Sequence, residues 1–308
     1  MIKRRFFKVF FIWCLLAIGA NPADAQQVSD ENFNYPISAP IYKRGKGPLI
    51  LFDEAHNNAS TLKGAYSGFS NLLRDDGYNV VSNKENVSWE LLKGAKIYVT
   101  VNAMYDLEEW NLPARSAFSK KEINELSTWV AAGGSLFLVT DHMPCGASVN
   151  ELAGRFGINI INGFALRKDG LPEVFSKERK TLISNQITSS PGKEIDSIMC
   201  WGGTGFIVPS HADVISALGD DYNIYLPSNV SQIKRPLPES LPYISGRRLV
   251  NGAYLKYGKG RVVIFGDGAP FSAQLQGIKS EKRGMNHPGA IQNAQFLLNI
   301  IHWLDDKL

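Results

Sequence analysis

Short apolar runs alternate with helix-length segments along most of the chain. Leu49 to Phe52 is continuously apolar, Ser60 to Arg74 is patterned like a helix, and Asn79 to Ser82 is a short strand after the Asp75-Asp76-Gly77 turn. Lys96 to Val101 is a further strand, following Leu91 to Ala95. Ser119-Lys120-Lys121-Glu122 reads as a capping box, in which the serine hydroxyl and the glutamate carboxylate each accept a backbone N–H from the other's position. Ile123, Leu126, Trp129 and Val130 then recur at helical spacing until Gly133-Gly134. Ser135 to Thr140 is the next buried strand. Strands separated by helices of this length predict an α/β fold with a parallel sheet covered on both faces.

Residues 157–245 are richer in Gly, Pro and Ser, with short apolar runs at Gly205 to Val208, Val214 to Leu218 and Asn223 to Leu226. They read as an inserted region of strands and loops rather than an independent domain. The regular pattern returns with Gly252 to Tyr257, a Gly258-Lys259-Gly260 turn and Arg261 to Phe265, which together predict a hairpin. Ala290 to Leu304, carrying Phe296, Leu297, Ile300, Ile301 and Leu304, predicts a last helix.

The ends of the chain change the picture of composition. Residues 1–25 have a basic start (Lys3, Arg4, Arg5, Lys8), a mostly apolar stretch from Phe6 to Ala20 and Ala23-Asp24-Ala25 as a small-x-small cleavage pattern, so they are expected to be a signal peptide, and the protein to be exported to the periplasm or beyond. An uncleaved anchor is the competing reading of the same stretch. The formal charge of +4 sits mostly in that leader, which holds four basic residues and one acid. The remainder is nearly neutral, so its charge gives no reason to expect nucleic acid as a partner, and no stable membrane span is expected after cleavage. Residues 26–46, polar with Pro36 and Pro40, are expected to be an exposed arm, and 47–308 a single domain. Cys145 and Cys200 remain after cleavage; they would either pair or stay as buried thiols.

Candidate chemistry lies where strands end. Phe52 is followed by Asp53-Glu54-Ala55-His56-Asn57-Asn58, Val139-Thr140 by Asp141-His142, and Phe265-Gly266 by Asp267. In open parallel sheets ligands bind outside the carboxyl ends of the strands, so these clusters are expected to share one edge. Asp53, Glu54, His56, Asp141, His142 and Asp267 are the candidate catalytic residues, because carboxylates beside imidazoles supply general acid and base chemistry near neutral pH. Asn57, Asn58, Asn286 and His287 are candidate substrate-binding residues, the last two on the expectation that Gly284 to Pro288 enters the last helix. Asp53, His56, Asp141 and His142 would also suit a divalent metal, although no stricter metal-ligand spacing is present. Each cluster has a plainer reading: aspartates that cap loops, histidines bonded to backbone, and an Asp-Gly turn at 267–268.

The segments "ILFDEAHNN", "YSGFSNLLRDDGYNV", "WVAAGGSLFLVTDHMP", "GKGRVVIFGDGAPFS" and "NAQFLLNIIHWL" resemble the bacterial domain of unknown function family 4350, over most of residues 48–304. That family sits among the class I glutamine amidotransferase-like folds. The resemblance implies a three-layer, flavodoxin-like sandwich. Active amidotransferases of this kind place a cysteine on a sharp turn after a central strand, and no Gly-x-Cys-x-Gly elbow occurs here, so glutamine hydrolysis is not expected. Two functions remain: an exported hydrolase acting on a carbohydrate or cell-envelope substrate, and a non-catalytic module that binds a small-molecule or carbohydrate ligand or assembles with a partner on the same edge.

Overall fold

The computed structural model describes residues 27–308. The expected signal peptide, residues 1–25, lies outside them.

Nine strands form the main sheet. In chain order they are β1 (Leu49–Asp53), β2 (Asn79–Asn83), β3 (Ile97–Val101), β4 (Ser135–Val139), β5 (Asn159–Ile160), β6 (Phe206–Ile207), β7 (Asp213–Ala217), β8 (Val250–Tyr257) and β9 (Gly260–Phe265). Their spatial order is β2-β1-β3-β4-β9-β8-β6-β5, with β7 also paired to β8. The five strands from β2 to β9 run parallel, and the hairpin partner β8 begins an antiparallel extension. The carboxyl ends of β1, β3, β4 and β9 therefore share one edge, as the strand-end pattern requires.

Successive side chains of a strand point to opposite faces, and the sequence uses both faces for core. On one face Ile50, Phe52, Phe137, Val139, Val263 and Phe265 pack with helices α1 (Ser67–Asp75) and α3 (Asn293–Leu304). On the other, Leu51, Leu136, Leu138, Val262 and Ile264 pack with helix α2 (Lys120–Ala132). The capping box forms as the sequence predicts: Ser119 Oγ accepts the Glu122 N–H and the Glu122 carboxylate accepts the Ser119 N–H. Gly133, at φ 127°, ends the helix in a conformation that side-chain-bearing residues rarely adopt.

Three expectations need adjustment. Helix α1 begins at Ser67 rather than Ser60, because the polar stretch before it folds as turns in which Glu54 accepts the Leu62 N–H. Helix α3 begins at Asn293, so Asn286 and His287 lie in the preceding turns and not at its start. The arm is largely exposed but is not loose: Gln27–Ser29 pairs with the strand Ala273–Gln276, which also pairs with Glu281–Gly284. Phe33, Tyr35, Ile37, Ile41 and Tyr42 then lay their apolar parts on the core.

The inserted region has no core of its own. Its strands β5, β6 and β7 extend the main sheet, while Phe164–Arg167, Tyr222–Tyr225 and Tyr243–Ser245 form a small sheet beside it. Ala165, Phe175, Ile215 and Ile224 from this region belong to the same apolar cluster as β1 and α3. Among the described residues no helix is long and apolar enough to cross a membrane.

Candidate functional site

The three acidic strand ends share an edge but split into two clusters. Asp53, the last residue of β1, is completely buried and His56 nearly so. His56 Nδ1–H donates to the Asp53 carboxylate at 2.8 and 3.0 Å, and Nε2–H donates to Glu122 Oε1 at 3.0 Å. Only the doubly protonated ring donates from both nitrogens. Burial pushes the His56 pKa down, but the bonds to Asp53 and then Glu122 outweigh it, and the net shift is upward. Glu122 moves the other way: burial raises its pKa, while its bonds from Ser119 and His56 bring it below the ordinary value.

The rest of this first cluster is equally occupied. Thr100 donates its hydroxyl to Asp53 Oδ2 at 2.7 Å, Asn58 donates to the Val101 carbonyl at 2.9 Å, and the His56 ring stacks on Phe118 with centroids 3.9 Å apart. Glu54 and Asn57, the other candidates here, bond the backbone of neighbouring loops at Leu62 and Tyr105. A ring with both nitrogens bonded to carboxylates and one face covered has no lone pair for chemistry. Asp53 and His56, expected to be catalytic, link β1, β3 and the start of α2 through these bonds.

The second cluster is open. Asp141 and His142, just beyond β4, line a cavity of about 330 Å³. Tyr66, Asn102, Trp110 and Gln274 also line it. Asn102 follows β3 at φ 48°, a left-handed conformation that asparagine tolerates better than most residues, and this turns its amide toward Asp141. Gly268 lies so close that an added Cβ would meet the Asn102 amide at 3.1 Å and the Tyr66 hydroxyl at 3.3 Å.

His142 Nδ1–H donates to the Met143 carbonyl at 2.8 Å, so in the neutral ring Nε2 is the nitrogen with the lone pair. That nitrogen is 3.9 Å from Asp141 Oδ1, and the ring stacks on Phe164 with centroids 4.1 Å apart. Asp141 Oδ1 accepts the His142 N–H at 2.8 Å. Its Oδ2 has only two long contacts, 3.4 Å each, from Asn102 Nδ2 and the Gly268 N–H. Asn102 Oδ1 and Gln274 Oε1 are buried with no protein partner at all. Their amide nitrogens are committed, to Asp141 and to Ser272 Oγ, so the oxygens are correctly placed as acceptors.

Asp267, beyond β9, sits beneath this cavity rather than in it. Its carboxylate is completely buried and accepts the N–H groups of Trp201 and Ala269 at 2.5 and 2.8 Å. Burial, and then the charge of Asp141, hold its pKa well above the usual carboxylate range. Nearby Glu173, in the inserted region, is pushed up to about 7, chiefly by burial. Asn286 donates its amide to Asp30 Oδ2 and to the Gln274 carbonyl, both at 2.9 Å, and its Oδ1 is buried without a protein partner. His287 lines a neighbouring cavity with Trp201. Cys145 and Cys200 are both free and buried, and burial pushes the Cys145 thiol up.

The four candidate metal ligands are divided between the two clusters, and among the described residues no group of three or more His, Cys, Asp or Glu side chains converges on one point. Tyr66, Asn102 and Gln274 at the cavity and Glu122 in the buried cluster are residues that sequence reasoning did not single out. Asn102 alone had a usable signal, as a polar residue at a strand end, but it carries no charge.

No protein-family model and no curated protein matches the sequence. Solved structures do resemble it. The mmIFT52 N-terminal domain aligns with a TM-score of 0.58 at 17% identity, over 83% of this chain and 96% of that one. The cytoplasmic protein STM1381 from Salmonella typhimurium LT2 aligns at 0.49 and 12% identity, over 83% of this chain and 98% of that one. A ThuA-like protein from Bacteroides uniformis aligns at 0.45 and 11%, over 88% and 95%. The first of these shows a shared fold and carries no inference about activity.

Proposed function

We propose that this protein is an exported, class I glutamine amidotransferase-like protein of the three-layer flavodoxin-like type, related to domain of unknown function family 4350, that binds a hydroxyl-rich ligand of the carbohydrate class and hydrolyses it. The observation that carries the binding part is that Asp141, Asn102 and Gln274 line one cavity, Asp141 Oδ2 with only two long contacts and Asn102 Oδ1 and Gln274 Oε1 with no protein partner. Buried acceptors without partners are costly, and small turns of the Asn102 and Gln274 amides toward a ligand rich in O–H donors would give both a partner beside Asp141 Oδ2. A sugar ring is such a ligand, and Trp110 on the cavity wall adds an apolar surface with a polar edge.

The hydrolytic part rests on His142. Its Nε2 is free to take a proton from a water attacking the ligand, and Asp141, 3.9 Å away, offsets the charge the ring then acquires. The test is turnover of a panel of chromogenic glycosides and acetyl esters by the wild-type chain and by His142→Ala. Loss of about 10²–10⁴-fold in kcat is expected for a general base. Undiminished turnover in the variant would remove His142 from the chemistry.

A second reading, recognition without turnover, is favoured by a separate observation. Cys145 lines the cavity, but its thiol is buried and burial pushes its pKa up, so the cavity holds no activated cysteine. Saccharide binding with no turnover of any panel member would select it.

A further inference from the structure

A second cavity, of about 450 Å³, adjoins the one that holds Asp141. Its lining includes Trp201, Gln276, Arg283 and His287. Arg283 borders both cavities. It is held there by bonds to two outer-cavity residues, Nη1 to Gln276 Oε1 at 3.0 Å and Nη2 to the Trp201 carbonyl at 3.1 Å.

The strand Ala273–Gln276 leads from one cavity to the other. Gln274 lines the inner and Gln276 the outer, and residues two apart on a strand face the same way, about 7 Å from each other. Trp201 is anchored to the inner site as well: its N–H bonds buried Asp267 while its carbonyl takes Arg283. Its indole meets the His287 ring edge to face, with centroids 5.5 Å apart, which fixes the orientation of a half-exposed aromatic surface. Size points the same way. The inner cavity alone is at the low end of ligand sites, roughly 300–1,000 Å³, and the two together fall well inside that range.

We infer that the ligand is a chain of at least two sugar-like units, with one unit in the Asp141 cavity and the next in the outer cavity against Trp201. This rests on the proposed function, since it names the length of the ligand that the same site takes. Arg283, between the units, is the residue that a linkage passes. Acceptors hold the inner unit and an aromatic face the outer one, so the two contributions are separable by mutation.

The experiment is calorimetric titration of the full chain with glucose, mannose, galactose and N-acetylglucosamine and with a tetramer of each. Wild type, Trp201→Ala and Asp141→Asn are compared after their unfolding transitions are shown to match. At least one tetramer is expected to bind about tenfold more tightly than its monomer, the size of an aromatic contact of this kind. Trp201→Ala should bring that ratio close to one without changing monomer affinity, since its backbone bonds to Asp267 and Arg283 persist. Equal affinity for monomer and tetramer, or a ratio that survives in Trp201→Ala, would overturn the extended site while monomer binding sensitive to Asp141→Asn keeps the inner site. No binding of either length would overturn both.

Discussion

The clusters around His56 and His142 both begin with an aspartate at the end of a buried strand and a histidine close behind, yet one ring has both nitrogens bonded to carboxylates and the other keeps a free one. The difference comes from what each cluster meets in space. Asp53 and His56 lie over the start of α2, where Glu122 is already turned inward by its capping box, so the imidazole is enclosed by charge. Asp141 lies between β3 and β9, where Asn102 and Gly268 offer only long contacts and leave an opening. The same residue types make a closed cluster in one place and border an open cavity in the other.

If the closed cluster is a clamp, breaking it should have the largest effect. Asp53→Ala leaves a buried, charged ring with one partner fewer and strands the Thr100 hydroxyl, so a loss of about 3–5 kcal/mol is expected in chemical denaturation. A loss below ~1 kcal/mol would mean that the cluster is not the clamp described. Asp141→Asn is the counterpart. It should weaken saccharide binding about tenfold while moving stability by no more than about 0.5 kcal/mol, which calorimetry and denaturation measured together would show.

A smaller effect is expected at the helix cap. Ser119→Ala removes the hydroxyl that bonds Glu122 and should cost about 1 kcal/mol, and a double-mutant cycle with His56→Gln should show the two losses to be non-additive. Additive losses would separate the cap from the clamp. The gentlest probe is pH. The raised pKa of His56 contributes stability that is fully present below its ordinary value of 6.5 and lost as pH rises through the higher folded value. The lowered pKa of Glu122 contributes stability present above its ordinary value of 4.5 and lost as pH falls through the folded value. The clamp is therefore worth most between those two ordinary values. The denaturation midpoint should decline on the alkaline side in wild type and lose that decline in His56→Gln; an unchanged slope would contradict the assignment.

Much of the frame was legible because it rests on local periodicity. The apolar runs at β1, β3, β4 and β9, the Ser119-to-Glu122 box and the Gly258-Lys259-Gly260 turn each announce themselves within a few residues. The candidate site was legible only by half. The strand-end rule singles out Asp141-His142 and Asp53-His56 alike, because nothing local reveals that Glu122, 66 positions from His56, encloses the second pair while the first borders a cavity. Asn102 carries no charge, and its place beside Asp141 depends on a left-handed turn that the sequence does not announce. Gln274 reaches the cavity from a strand whose pairing with Gln27–Ser29 is long-range.

The contrast between the two histidines is also its own most direct test. Imidazole nitrogen NMR of the wild-type chain, recorded during titration with the saccharide panel, observes both rings in one sample. The His142 Nε2 resonance is expected to move with ligand while both nitrogens of His56 stay at imidazolium positions throughout. Movement of His56 with a stationary His142, or no response of His142 to a saccharide that calorimetry shows to bind, would contradict the assignment of the Asp141 cavity as the ligand site.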